Sequence, residues 1–94
     1  MWRQQTAGVA TKCSDNFIER LIDDEIVLLD LDSADFFSLG GVAQDVWALI
    51  DGQRDREAIV VALAGEYNCS VDQIGEDVDA FLEQMVQRGF LRYG

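Results

Sequence analysis

From Ile26 to Gly52 the chain reads IVLLDLDSADFFSLGGVAQDVWALIDG. An apolar run, a short acidic turn, a second apolar run and an amphipathic segment ending at glycine follow one another, the pattern of two strands leading into a helix. Upstream, Phe17–Ile22 (FIERLI) is a strand of mixed parity that closes at the turn pair Asp23-Asp24. Glu25–Leu31 (EIVLLDL) is nearly continuously apolar, which predicts the central strand, covered on one face and partly on the other. Asp32 to Asp35 is the next turn, and Phe36–Leu39 (FFSL) is a third strand and a candidate sheet edge. Phe37 and Leu39 share a parity and should face the core, with Phe36 and Ser38 on the other side. The expectation is a three-stranded antiparallel meander.

The period then changes from two to 3.6. After Gly40-Gly41, Val42, Val46, Leu49 and Ile50 follow helical spacing, Trp47 widens the stripe, and Gly52 is the expected stop. Asp55 is placed to cap a second helix whose inner face is Ile59, Val60, Leu63 and Ala64. Ser70, with Gln73 three residues on, has the pattern of a capping box for a third helix ending at Gly89. Its apolar face, with Ile74, Val78, Phe81, Leu82, Met85 and Val86, is wider than packing on one neighbour needs. Phe90-Leu91 should pin the C-terminus. Three leading strands and three helices predict an α+β domain of winged-helix-like type. Residues 1–15 lack a clear period and are expected as a flexible arm or irregular strand, leaving residues 16–94 as the folded domain.

Ninety-four residues allow one core. No apolar run approaches the ~20 residues that span a bilayer, and the N-terminal stretch has no apolar segment of the secretory type. The compartment expected is therefore the cytoplasm. Net charge is −11, with 18 acidic and seven basic residues. Such a surface repels phosphate, so nucleic acid and anionic membranes are poor partners, and a basic partner is favoured unless the acidity serves solubility alone. Cys13 and Cys69 are far apart, without a CxxC pair and without histidine, so two free thiols and no zinc site are expected.

The chemistry of catalysis is thin. Without histidine the usual proton shuttle and the Ser-His or Cys-His pairs are missing. Carboxylate pairs such as Asp23-Asp24 arise by chance among 18 acids. Gly40-Gly41 lacks the lysine and the spacing of a phosphate loop, and Asp30 to Asp35 lacks the glycine and glutamate of a calcium loop. No enzyme, cofactor or metal is expected. Ser33 sits in Asp32-Ser33-Ala34 rather than the Asp-Ser-Leu of carrier proteins. A winged-helix DNA reader would present Asp72, Glu76, Asp77 and Asp79 to phosphates. Both readings are minor alternatives.

Protein recognition remains. A short edge strand can pair with an incoming strand through its free backbone groups. Phe36 and Phe37 beside the stripe Ile74, Val78, Phe81 and Met85 would line such a groove, or these residues are all core. The same edge would serve a monomer that binds a peptide or a weak dimer.

Taken in order, Val27-Leu28-Leu29-Asp30-Leu31, Phe36-Phe37-Ser38-Leu39, Val46 to Gly52, Ile59 to Tyr67, Asp77 to Leu82 and Arg88-Gly89-Phe90-Leu91 resemble the PqqD-like family, also called RiPP recognition elements, over roughly residues 17–93. One departure is Gly40-Gly41, where relatives often carry Asn after the Leu. The resemblance implies a non-catalytic adaptor that binds the leader of a ribosomally made precursor peptide as an added strand and presents it to maturation enzymes, such as a leader protease and a cyclase. It implies a lasso-peptide pathway ahead of a PqqD-type peptide chaperone in quinone cofactor synthesis. Carried onto this chain, the binding strand is Asp35, Phe36, Phe37, Ser38 and Leu39. The helix wall is Ile74, Asp77, Val78, Phe81 and Met85. Asp77, at the border of the stripe, would meet a basic leader residue or remain a solvated acid.

Overall fold

The computed structural model describes residues 9–93. In chain order the elements are β1 (Ala10–Lys12), β2 (Phe17–Ile22), β3 (Glu25–Asp30), β4 (Phe36–Leu39), α1 (Val42–Leu49), α2 (Arg56–Tyr67), α3 (Val71–Gln87) and β5 (Leu91–Tyr93). The expected meander is present as an antiparallel sheet of order β2-β3-β4, followed by the three helices of the α+β fold. Asp23 (φ 50°) and Asp24 (φ 68°) make a two-residue turn with both residues left-handed, whose twist matches a hairpin. At the next corner Asp30 Oδ1 accepts from the N–H of Asp32 at 2.9 Å and of Ser33 at 3.4 Å, and Ala34 takes φ 67°. These bonds to its carboxylate, chiefly that from Asp32, hold Asp30 below its ordinary pKa.

Alternation decides which face of the sheet is buried. Ile26 and Leu28 point inward, Leu28 with no exposure, while Val27 and Leu29 are half-buried on the outer face. On β4 the expected parity holds: Leu39 is buried and Phe37 half-buried, while Phe36 is 71% exposed. The helices cover only the inner face. An aromatic series, Phe37–Phe90–Phe17–Trp47–Phe81, edge-to-face except for the tilted Phe17–Phe90 pair and with centroids 5.3 to 6.4 Å apart, joins the β4 edge to α3.

Helix ends follow their caps. Asp55 accepts from Ala58 N at 2.8 Å and Ser70 from Gln73 N at 3.2 Å. The first helix stops earlier than expected, at Leu49. Asp51 Oδ1 takes the N–H groups of Gln53 and Arg54, a local turn that competes with one more helical turn, and Gly52 (φ 80°) lies inside it. Gly41 caps α1 at φ 59° and ψ −133°, a region open to glycine alone. At the end of α3, Phe90 N–H bonds to Met85 O and Gly89 N–H to Val86 O, with Gly89 at φ 80°, the doubly bonded left-handed cap of a Schellman motif.

The two-stranded ribbon β1-β5 was not expected. Ala10 pairs with Tyr93 and Lys12 with Leu91, and Cys13 N–H bonds to Phe90 O at 2.8 Å. Phe90 and Leu91 are buried at 0% and 2%. Of the arm expected over residues 1–15, residues 1–8 lie outside the described residues, and Ala10–Lys12 is the strand β1.

Candidate peptide-binding site

β4 is an edge strand, and the ladder tells which of its backbone groups are free. Asp30 N–H donates to Asp35 O at 2.8 Å, so Asp30 and Asp35 form a hydrogen-bonded pair. In an antiparallel ladder such pairs alternate. With the register Leu29↔Phe36, Leu28↔Phe37, Val27↔Ser38 and Ile26↔Leu39, the groups of Phe37 and Leu39 face β3. Those of Phe36 and Ser38 point to the open side. The bond from Leu31 N–H to Asn16 O, at the other border of β3, has the phase that this alternation requires. The open edge therefore offers two donor–acceptor residues, enough to pair with a segment of four or five residues.

Side chains divide by parity. Phe36 and Ser38 stand on the outer face of the sheet, where Ile18, Leu29 and Phe36 form one cross-strand row. Phe37 stands on the inner face, and there the edge meets α3. The centroid of its ring is 3.8 Å from the Arg88 guanidinium carbon and 5.8 Å from the Phe90 ring. On the helical period, Asp77, Phe81, Gln84 and Arg88 lie in one row at i, i+4, i+7 and i+11. Arg88 brings the end of that row to β4. A cleft of about 450 Å³ opens at this end, lined by Asp15, Asn16, Asp30, Leu31, Asp32, Arg88 and Gly89.

The expected wall of α3 is placed differently from the expectation. Ile74 (2%), Val78 (0%), Phe81 (7%) and Met85 (2%) all belong to the core, because α1 and α2 pack against α3. Asp77 is exposed at the border. Phe36 and Phe37 do not line one groove, since successive residues of a strand point to opposite faces. Phe36 turns its side chain away from α3 and offers its backbone. The row beside the stripe adds Gln84 and Arg88, which sequence reasoning missed by reading the centre of an amphipathic face rather than its edge. The signal was present, because Arg88 is eleven residues after Asp77, three turns on.

Among the described residues there is no group of three or more metal-ligating side chains, and both cysteines are half-buried free thiols. No helix among them is long and apolar enough to cross a membrane.

Comparison with known proteins bears on this arrangement. The sequence model described as "Coenzyme PQQ synthesis protein D (PqqD)" matches residues 25–91. Two curated relatives from Rhodopseudomonas palustris, each described as "PqqA binding protein", are 42% identical (strain TIE-1) and 40% identical (strain ATCC BAA-98 / CGA009) over 50 residues. The match covers 53% of this chain and 49% of either relative, so the chain spans about half the length of the curated relatives it matches. The solved structure "TbiB1 in Complex with the TbiA(beta) Leader Peptide" is similar with a TM-score of 0.75 and 32% identity, covering 86% of this chain and 94% of that one.

Proposed function

The chain belongs to the PqqD family, and from that premise we propose that it is a non-catalytic adaptor. It captures the leader of a ribosomally made precursor peptide as a fourth strand on β4. The observation that carries the reading is the open edge of β4, with Phe36 and Ser38 unpaired beside α3. The structural neighbour was solved with a leader peptide, and the two curated relatives are named for binding PqqA. Asp35 to Leu39 form the pairing strand in this proposal. Asp77, Phe81, Gln84 and Arg88 border the groove, and Ile74, Val78 and Met85 support it from the core.

Presentation to a maturation enzyme, such as a leader protease, is the second half of the proposal. What supports it is the outer sheet face. The row Ile18, Leu29 and Phe36 is not covered by any helix of the described residues, and a peptide on the β4 edge would leave it open. A lasso-type precursor is placed ahead of a quinone-cofactor precursor. The near end-to-end match to a leader complex supports that order, against a half-length match to PqqA binding proteins.

Calorimetric titration with the leader peptide encoded beside the gene tests the reading, with a Ser38→Pro variant, which removes a donor from the free edge, in parallel. Sub-micromolar binding by the wild type that weakens in the variant is expected. Absence of binding to any neighbouring short peptide overturns it.

A further inference from the structure

Of the six basic residues in the described part of the chain, Arg54 and Arg56 are held in ion pairs, with Asp51 and Asp79. Arg88 has no carboxylate partner there, in a molecule carrying 18 acids. Asp30, which lines the same cleft and feels the charge of Arg88 without bonding to it, has one carboxylate oxygen turned to the N–H groups of Asp32 and Ser33. The guanidinium instead covers the half-buried ring of Phe37 at 3.8 Å. Stacking occupies the face of a guanidinium and leaves its N–H edge free for a planar, two-oxygen acceptor. The backbone beneath it is fixed. Arg88 is the C-cap of α3, directly before the left-handed Gly89, and Asn16 Nδ2 donates to Gly89 O at 2.8 Å.

The ladder says what would meet this group. A strand added antiparallel to β4 hydrogen-bonds to Phe36 and Ser38, so its residue facing Phe37 sits in a non-hydrogen-bonded pair. Side chains come closest in such pairs, and that residue points to the inner face. It therefore arrives at the ring of Phe37 and the free edge of Arg88. We infer that Arg88 is the specificity-determining residue of the groove: it pairs with one Asp or Glu of the bound peptide, at the position facing Phe37, and thereby fixes the register of the added strand. A peptide slipped by one residue would turn that carboxylate to the outer face, and one slipped by two would carry it along the edge toward Asp35 or away from any cation. The acidic surroundings, Asp30, Asp32, Asp35 and Asp77, disfavour a carboxylate elsewhere. Arg88, the one cation among the described residues that line this cleft, can thus select one register.

The inference rests on leader capture at β4, and its test separates the two. The neighbouring leader peptide is titrated calorimetrically against wild-type protein, Arg88→Gln and Arg88→Lys. The titrations are repeated with leader variants in which each Asp or Glu in turn is changed to its amide, and thermal melts confirm that the variants fold. One acid-to-amide change is expected to weaken wild-type binding about fivefold to tenfold, and to leave Arg88→Gln within about twofold. Arg88→Lys should fall between, keeping the charge but losing the flat fork. The same fold-change in wild type and Arg88→Gln for every acid overturns the inference while leaving leader capture standing. So does tight binding of a leader without acidic residues. Tighter binding by Arg88→Gln would show instead that Arg88 is a cover that the peptide displaces from Phe37. Failure of the wild type to bind overturns the inference and the capture reading together.

Discussion

At the scale of single residues, the chain carries local costs that substitutions can expose. Ala34 holds φ 67° at the corner between β3 and β4, a conformation that costs an L-residue roughly 1–2 kcal/mol and glycine little. Ala34→Gly should raise stability by about 0.5–1 kcal/mol in denaturant unfolding, and an unchanged or lower midpoint would contradict the strain. A second test concerns Tyr67, whose hydroxyl donates to the Asp45 carboxylate and ties the end of α2 to the first turn of α1. That bond, first among the causes, pushes the phenol up to about 12 from 10.0. Because the folded value is raised, the stabilisation is fully present below 10 and is lost as pH rises through about 12. Absorbance titration should find Tyr67 ionising late, and Tyr67→Phe should remove that late step. A normal titration would dissolve the link between α1 and α2.

At the scale of elements, the open edge of β4 makes a selective backbone experiment available. Ser38 directs its N–H away from β3, so Ser38→Pro removes a donor from the free edge without removing a bond of the existing sheet. Leader binding should weaken at least about tenfold, for a stability cost of about 1 kcal/mol. Binding that survives would move the peptide off this edge. The elements that sequence pattern predicted are those whose burial is one-sided and long enough to show a period. β3 and β4 alternate in burial, β2 buries Phe17 alone but is bounded by clear turns, and α2 and α3 carry both a cap and a stripe. β1 and β5 have three residues each, too few to show a period, and they exist because distant segments meet over buried Phe90 and Leu91. α1 ends at Leu49, short of the stop that Gly52 predicts, because the Asp51 carboxylate takes the next backbone N–H groups first. The groove was legible in part. The strand and its parity came from alternation, but the stripe of α3 proved to be core, since α1 and α2 pack against α3 and it is Arg88, at the end of the helix, that reaches β4.

At the scale of the whole molecule, a net charge of −11 on 94 residues acts on both folding and partners. Self-repulsion of the compact state should be relieved by salt, so the melting temperature should rise by a few degrees between low and physiological ionic strength, and a fall would point to dominant attractive pairs. The same charge disfavours pairing of two copies through the β4 edge and leaves that edge available to a peptide. Hydrogen exchange read amide by amide, with and without the leader peptide, tests that capture most directly. The N–H groups of Phe37 and Leu39, already bonded within the sheet, should be protected in both states. Those of Phe36 and Ser38 should exchange freely alone and become protected on binding. Protection gained instead at Glu19 and Leu21, on the opposite edge, or at neither edge, would contradict strand addition on β4.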